Sequence, residues 1–187
     1  MTTPSRREFV RMGGLAVLGF GISPIRGART AAPHVIEMRS NALGSRVWYD
    51  PIGLYVEPGT IVRWIARESV HTATAYHPRN GNHALRIPER AVPWNSGFLV
   101  NPGDHFDVTL SVPGVYDYFC MPHEAAGMAG RIVVGKAVGP GAEPFDYWVG
   151  KPGTESWNRV PNAVRSALPS AARIIAERRV RAPGADR

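Results

Sequence analysis

Between Tyr116 and Met128 the chain reads YDYFCMPHEAAGM, so its one cysteine, a histidine and a methionine fall in a single short loop. That spacing constrains everything around it. Tyr116, Tyr118 and Cys120 alternate with Asp117 and Phe119, a period of two that predicts a strand with the tyrosines and the cysteine on one face, turned inward. After Cys120 the backbone must turn for His123 to return to the same point in space. Pro122 stiffens that turn by fixing its own φ, and Gly127 permits a tight return to Met128. Ala129 to Val134 resumes strand character, which places the loop between two neighbouring strands at one end of a sheet.

The donor types in the loop select a metal. A thiolate suits the reduced copper ion, imidazole suits both oxidation states, and a thioether serves as a weak axial donor. With one more imidazole from upstream, for which His71 is the candidate, the chain supplies the donor set of one mononuclear type 1 copper site. Zinc is the alternative metal, but its structural sites draw on several Cys and His, and a lone Cys beside a Met suits copper better. The plainest reading, a buried cysteine acting as a small hydrophobe, leaves the clustering of three ligand types unexplained.

The segment from Gly114 to Val134, GVYDYFCMPHEAAGMAGRIVV, closely resembles the copper-binding end of the cupredoxin family of plastocyanin-like blue copper proteins. Upstream, Glu57-Pro58-Gly59-Thr60-Ile61-Val62-Arg63-Trp64 followed by Val70-His71-Thr72 is similar to that family's turn, strand and first copper histidine. The resemblance spans Val35 to Lys136 and implies a cupredoxin-like Greek-key β-sandwich with His71, Cys120, His123 and Met128 as ligands. It also implies an electron carrier rather than an enzyme, with His123 as the electron port inside an apolar patch. Met121, Pro122, Ala125 and Ala126 would make that patch, Glu124 would add a charge to it, and a cytochrome or an oxidase or reductase would dock there transiently. Thr72 departs from the family, where an asparagine often steadies the ligand loops; its hydroxyl is expected to stand in.

Composition points to the same all-β architecture without the loop. Twenty Gly and 17 Pro sit between short apolar runs, as many short strands and turns require. Glu57-Pro58-Gly59-Thr60 and Asn101-Pro102-Gly103-Asp104 each place Pro then Gly at the centre of a tight turn. Strands are expected at Val35–Arg39, Val47–Tyr49, Leu54–Glu57, Ile61–Ala66, His71–Ala75, His105–Ser111 and Val115–Cys120. The connection from Tyr76 to Pro88 is rich in turn formers and should cover one side of the sandwich. Its His77 and His83 read as solvated loop residues rather than a second metal site, and His34 and His105 as surface or strand-edge residues.

Three segments follow: an export signal over residues 1–32, a copper domain over 33–138 and a tail over 139–187. In the first, Arg6-Arg7 in SRREFVR has the twin-arginine pattern and Met12 to Ile25 is a short apolar run, so a periplasmic or otherwise extracytoplasmic protein is expected. In the tail, Phe145, Tyr147 and Trp148 should pin an irregular segment to the domain by their rings. Pro161 to Val180 reads as a helical extension, with Val164, Leu168, Ala171, Ile174 and Ile175 as its apolar stripe and Pro169 opening a second short helix.

The net charge of +7 is concentrated outside the copper domain, since residues 33–138 carry nine basic and nine acidic groups. No basic stripe with interleaved stacking aromatics appears, so no nucleic acid is expected as a partner. Packing of the tail helix on its own sandwich is favoured over membrane contact, and a monomer is expected. The alternative function is a periplasmic copper carrier or store that delivers the metal to an oxidase. A multicopper oxidase or nitrite reductase needs more copper domains than this length provides.

Overall fold

Alternation of apolar and polar side chains sets the strands, and a computed structural model describes them over residues 32–184 except Ser69. The segment read as an export signal, residues 1–32, lies outside the described residues but for Ala32. In chain order the elements are β1 (His34–Ser40), β2 (Val47–Asp50), β3 (Gly53–Val56), β4 (Thr60–Ala66), β5 (Thr74–Ala75), β6 (His105–Leu110), β7 (Gly114–Phe119) and β8 (Ala129–Val134). Two short helices, α1 (Asn162–Ala167) and α2 (Ala171–Glu177), and a final strand β9 (Arg179–Val180) complete the tail.

The strands form two sheets, ordered β2-β1-β4-β6 and β5-β7-β8-β3-β9. From β2 to β7 each successive strand lies in the other sheet, which gives the Greek-key sandwich. The pairs β1–β4 and β3–β8 are parallel and the remaining pairs antiparallel. Between the sheets lies one apolar core that includes Ile36, Met38, Tyr49, Val62, Trp64, Tyr116, Tyr118, Cys120 and Ile132. Tyr116, Tyr118 and Cys120 therefore share the interior, as the period of two requires. Opposite Tyr118 in the β7–β8 register stands Gly130, and a Cβ there would collide with the Tyr118 phenol. Glycine is what lets that ring cross the neighbouring strand.

Most expected strands are found within one residue at either end. The exception is His71–Ala75, of which only Thr74–Ala75 pairs in a ladder, while His71 forms a single bridge to Leu99. The reason is local. Ala73 N–H donates to Ser96 Oγ and Thr72 N–H to Cys120 Sγ, so side chains use donors that a ladder would need.

The outer face of β7 carries Val115, Asp117 and Phe119, and the tail covers all three. Val115 and Val133 pack with Ile174 and Val180. Phe119 and Ala129 pack with Tyr76, Val160 and Val164. Between these apolar clusters the Asp117 carboxylate is gripped by Arg131 Nε and Nη2 at 2.7 and 2.9 Å and by Arg86 Nε at 3.1 Å. Arg86 also donates to the carbonyls of Gly141, Glu143 and Pro144, and Arg131 to that of Pro169, so the ion group ties the tail backbone to the sheet. The guanidinium carbons of Arg86, Arg131 and Arg165 lie 4.6, 5.8 and 5.4 Å from the centre of the Phe145 ring.

Trp148 is buried against Trp157, and Tyr147 OH donates to Leu85 O, so the rings do pin the irregular segment. The helical extension divides at Pro169 into two short helices, as expected, but it ends earlier: Ile175 points outward at 40% exposure, and Arg179–Val180 leaves the helix to pair with β3. Ser170 caps α2 by accepting from Arg173 N–H. Among the described residues no helix is long and apolar enough to cross a membrane.

Candidate metal centre

The end of β7 delivers Cys120, and the residues after it wind into a 3₁₀ segment, Met121–Ala126, closed by Gly127 in left-handed backbone at φ 84°. The loop folds on itself: His123 N–H donates to Cys120 O, Met128 N–H to His123 O and Cys120 N–H to Met128 O. These bonds bring His123 and Met128 back beside the cysteine. His71 arrives from the other direction, fixed by paired backbone bonds with Leu99 at 3.1 and 2.8 Å.

The result is convergence on one sulfur. His71 Nδ1 lies 3.7 Å and His123 Nδ1 3.4 Å from Cys120 Sγ, and the three donor atoms all fall within 4.8 Å of one another. Among the described residues this is the one group of three or more His, Cys or carboxylate side chains placed to hold a metal. His71 and Cys120 are fully buried and His123 is half-buried. Met128, at 1% exposure, belongs to the same core and touches the site through its backbone bond to Cys120. Two imidazoles presenting the same nitrogen to one thiol, with a thioether in the closing residue, fit a copper ion in donor type and number.

Burial acts in opposite senses on the two donor types, freeing the imidazoles of protons and holding the proton on the thiol. Burial, and then the neighbouring His123, push His71 down to about 4, so its ring is neutral at pH 7. Burial also lowers His123. The Cys120 thiol is pushed up to about 11 by burial, with Thr72 N–H at 3.3 Å from the sulfur acting in the opposite sense. A cation that replaces the thiol proton supplies the charge that burial otherwise forbids.

Thr72 performs the bracing that the sequence assigned to its hydroxyl. Its Oγ1 accepts Met121 N–H at 2.8 Å, and its carbonyl accepts Tyr49 OH. One residue thus joins β2, the His71 segment and the ligand loop. Tyr49 and Ser96 were not legible as part of this shell, since nothing in their local sequence marks them as partners of residues 23 positions away.

Two expectations are corrected. Glu124 adds no charge to the exposed rim: its carboxylate turns inward, accepting Tyr76 OH at 2.7 Å and meeting His83 Nε2 at 3.0 Å. His83 is accordingly no solvated loop residue. Its side chain is 16% exposed, its ring lies 4.4 Å from that of Phe119, and Asn80 O holds its Nδ1. His77 is half-buried and its Nδ1 accepts Arg79 N–H. His34 and His105 are exposed on their strands, as expected.

Met121, Pro122, Ala125 and Ala126 are all exposed around the half-buried His123. These four side chains are apolar, and Glu124, the charged residue among them in sequence, is turned inward.

The model of copper binding proteins of the plastocyanin/azurin family matches residues 36–135. A plastocyanin of Prochlorothrix hollandica is 45% identical over 129 residues, covering 68% of this chain and 93% of that protein. The chloroplastic plastocyanin of Hordeum vulgare is 51% identical over 37 residues, which are 20% of this chain and 24% of that one. Among solved structures, a pseudoazurin from Sinorhizobium meliltoi is 31% identical at a TM-score of 0.45, over 57% of this chain and 76% of the other. With a copper-type donor group at the loop end of a Greek-key sandwich, and a family match over more than half its length, this chain belongs to the plastocyanin/azurin family of copper binding proteins.

Proposed function

We propose that this protein is an exported electron carrier whose single copper is held by His71, Cys120, His123 and Met128. The observation that carries the reading is the convergence of two imidazole Nδ1 atoms on one buried sulfur, within bonds that already fix the loop. Copper bound there would supply a one-electron couple, and the chain's own residues would do the rest. Cys120 gives the soft donor, and Thr72 N–H stabilises negative charge on its sulfur. His71 and His123 accept no proton at neutral pH and stay available as donors. Met128 would add a thioether donor and, being buried, would help to exclude water.

His123 is the port. Its half-buried ring stands among Met121, Pro122, Ala125 and Ala126, an apolar rim suited to brief docking of another redox protein over a small interface. Such docking releases the partner readily because little charge is desolvated and little area is covered. A copper carrier would need exposed, exchangeable ligands, whereas Cys120 and Met128 are buried here at 0% and 1% exposure. The Arg6-Arg7 pattern and the apolar run after it support export by the twin-arginine route.

The test is direct. Cupric ion added to the protein lacking residues 1–32 should give an intense visible band that bleaches reversibly on reduction by a c-type cytochrome, and Cys120→Ser should abolish it. A band indifferent to Cys120, or none, overturns the reading. Met128→Leu should keep the band and raise the reduction potential, since loss of a weak axial donor favours the reduced ion.

A further inference from the structure

The ligands account for the sandwich and its loop but leave the tail without a part. We propose that α1 is a component of the metal centre: it backs the ligand loop from outside, with Val164 and Ala163 as positioning residues that set the distance between His123 and Met128. This rests on the copper reading above.

The geometry is specific to the loop. Phe119 precedes ligand Cys120 and Ala129 follows ligand Met128, and both belong to the cluster that Val164 and Val160 close. Between His123 and Met128 sits Gly127, the freest joint of the loop, and a Cβ there would come within 3.2 Å of Ala163 O and 3.4 Å of Ala163 Cβ. The helix therefore occupies the space into which that joint would otherwise swing. On the inner side the loop is limited by its own bonds and by Thr72; on the outer side α1 meets it.

The backing is itself tethered to the rest of the tail. A six-residue helix has no stability of its own. Here Arg165 fixes it through a two-pronged pair with Asp146 at 2.7 Å on both arms and through Val160 O. Val164 is fully buried in its cluster with Phe119, Ala129 and Val160. Ile174 in α2 is equally buried but packs on Val115 and Val133, at the opposite end of the same strands. The tail thus offers two side chains of equal burial, one behind the ligands and one remote from them. A weak axial donor is the ligand most sensitive to such support, because its bond contributes little to holding its own position.

The experiment compares Val164→Ala with Ile174→Ala in the full, copper-loaded chain. It reads the visible band, the reduction potential, the rate of copper loss to a chelator in excess, and the urea midpoint. Both variants should unfold at lower urea. Val164→Ala alone should shift the band and the potential and release copper about 10-fold faster. Should Val164→Ala fail to fold, Ala163→Gly, which removes a methyl beside Gly127, should show the same shift in band and release. A wild-type chain that takes up no copper overturns the copper reading itself. Wild-type copper uptake with band, potential and release unchanged in Val164→Ala, or changed alike in Ile174→Ala, overturns the role of α1 alone.

Discussion

The two sheets of the sandwich meet water differently. In the first, β4 alternates between half-buried and buried positions and β6 between exposed and half-buried ones as far as the buried Leu110, so one face lies on the core and the other on solvent. In the second, every residue of β7 and β8 is buried. A sheet covered on both sides usually reads as a continuous apolar run, but β7 holds Asp117 and β8 holds Arg131 at facing positions. The difference teaches that the second sheet is the middle of a three-layer unit, and that the tail forms its third layer. The sheet whose inner face carries Cys120 into the site is the one reinforced from outside.

The sharpest way to break that comparison is to remove one carboxylate from each sheet. Asp117→Ala leaves two guanidinium groups in a buried place and should cost about 3–5 kcal/mol in urea unfolding. Asp107→Ala removes the partner of Arg63 on the open face of the first sheet, where both side chains are about one third exposed, and should cost below about 1 kcal/mol. Equal losses would mean that the tail does not seal the outer face. Asp117→Ala should also make residues 139–180 more open to proteolysis, because Arg86 and Arg131 tie the carbonyls of Gly141, Glu143, Pro144 and Pro169 to the sheet.

What the sequence disclosed follows the same division. The sandwich, its strand bounds and the Cys-to-Met loop were legible because period two and close ligand spacing are local signals. The outer layer was only half legible. The aromatic anchors Phe145, Tyr147 and Trp148 announced that the tail packs, but Asp117 gave no sign of Arg86, 31 residues before it, as a partner. Glu124 looked like a surface charge because its neighbours in sequence are exposed; the groups that turn it inward, Tyr76 and His83, lie more than 40 residues away. Arg179–Val180 continued a helical pattern, and only the free edge of β3 explains why it becomes a strand.

Thr72 sits on the seam between the two sheets, and its variants should produce the next largest effect. Thr72→Val keeps the shape but leaves Met121 N–H without its acceptor, which should cost about 1–3 kcal/mol and broaden the copper band as the loop loosens. Thr72→Asn restores an acceptor oxygen and should recover the band. Tyr49→Phe, which cuts the link from β2 to Thr72 O, should cost about 1 kcal/mol. A band unchanged in Thr72→Val but lost in Thr72→Asn would show that size at this position, rather than its hydrogen bond, governs the loop.

The smallest expected effect belongs to His83, at the edge of the covered sheet. Burial alone would lower its value, but the hydrogen bond and charge of Glu124 outweigh burial and raise it above 6.5. A histidine raised in the folded state binds its proton more tightly there than when unfolded. Its contribution is thus present in full below pH 6.5 and lost as pH climbs through the raised value. The difference in unfolding free energy between wild type and His83→Gln should therefore be largest at a pH of about 6 and shrink by a pH of about 9. Taking the difference removes the opposing titration of His71, which burial lowers to about 4. A difference that grows with pH would mean that Glu124 is held by Tyr76 alone, and that the covered edge of the second sheet is no more coupled to protons than the open face of the first.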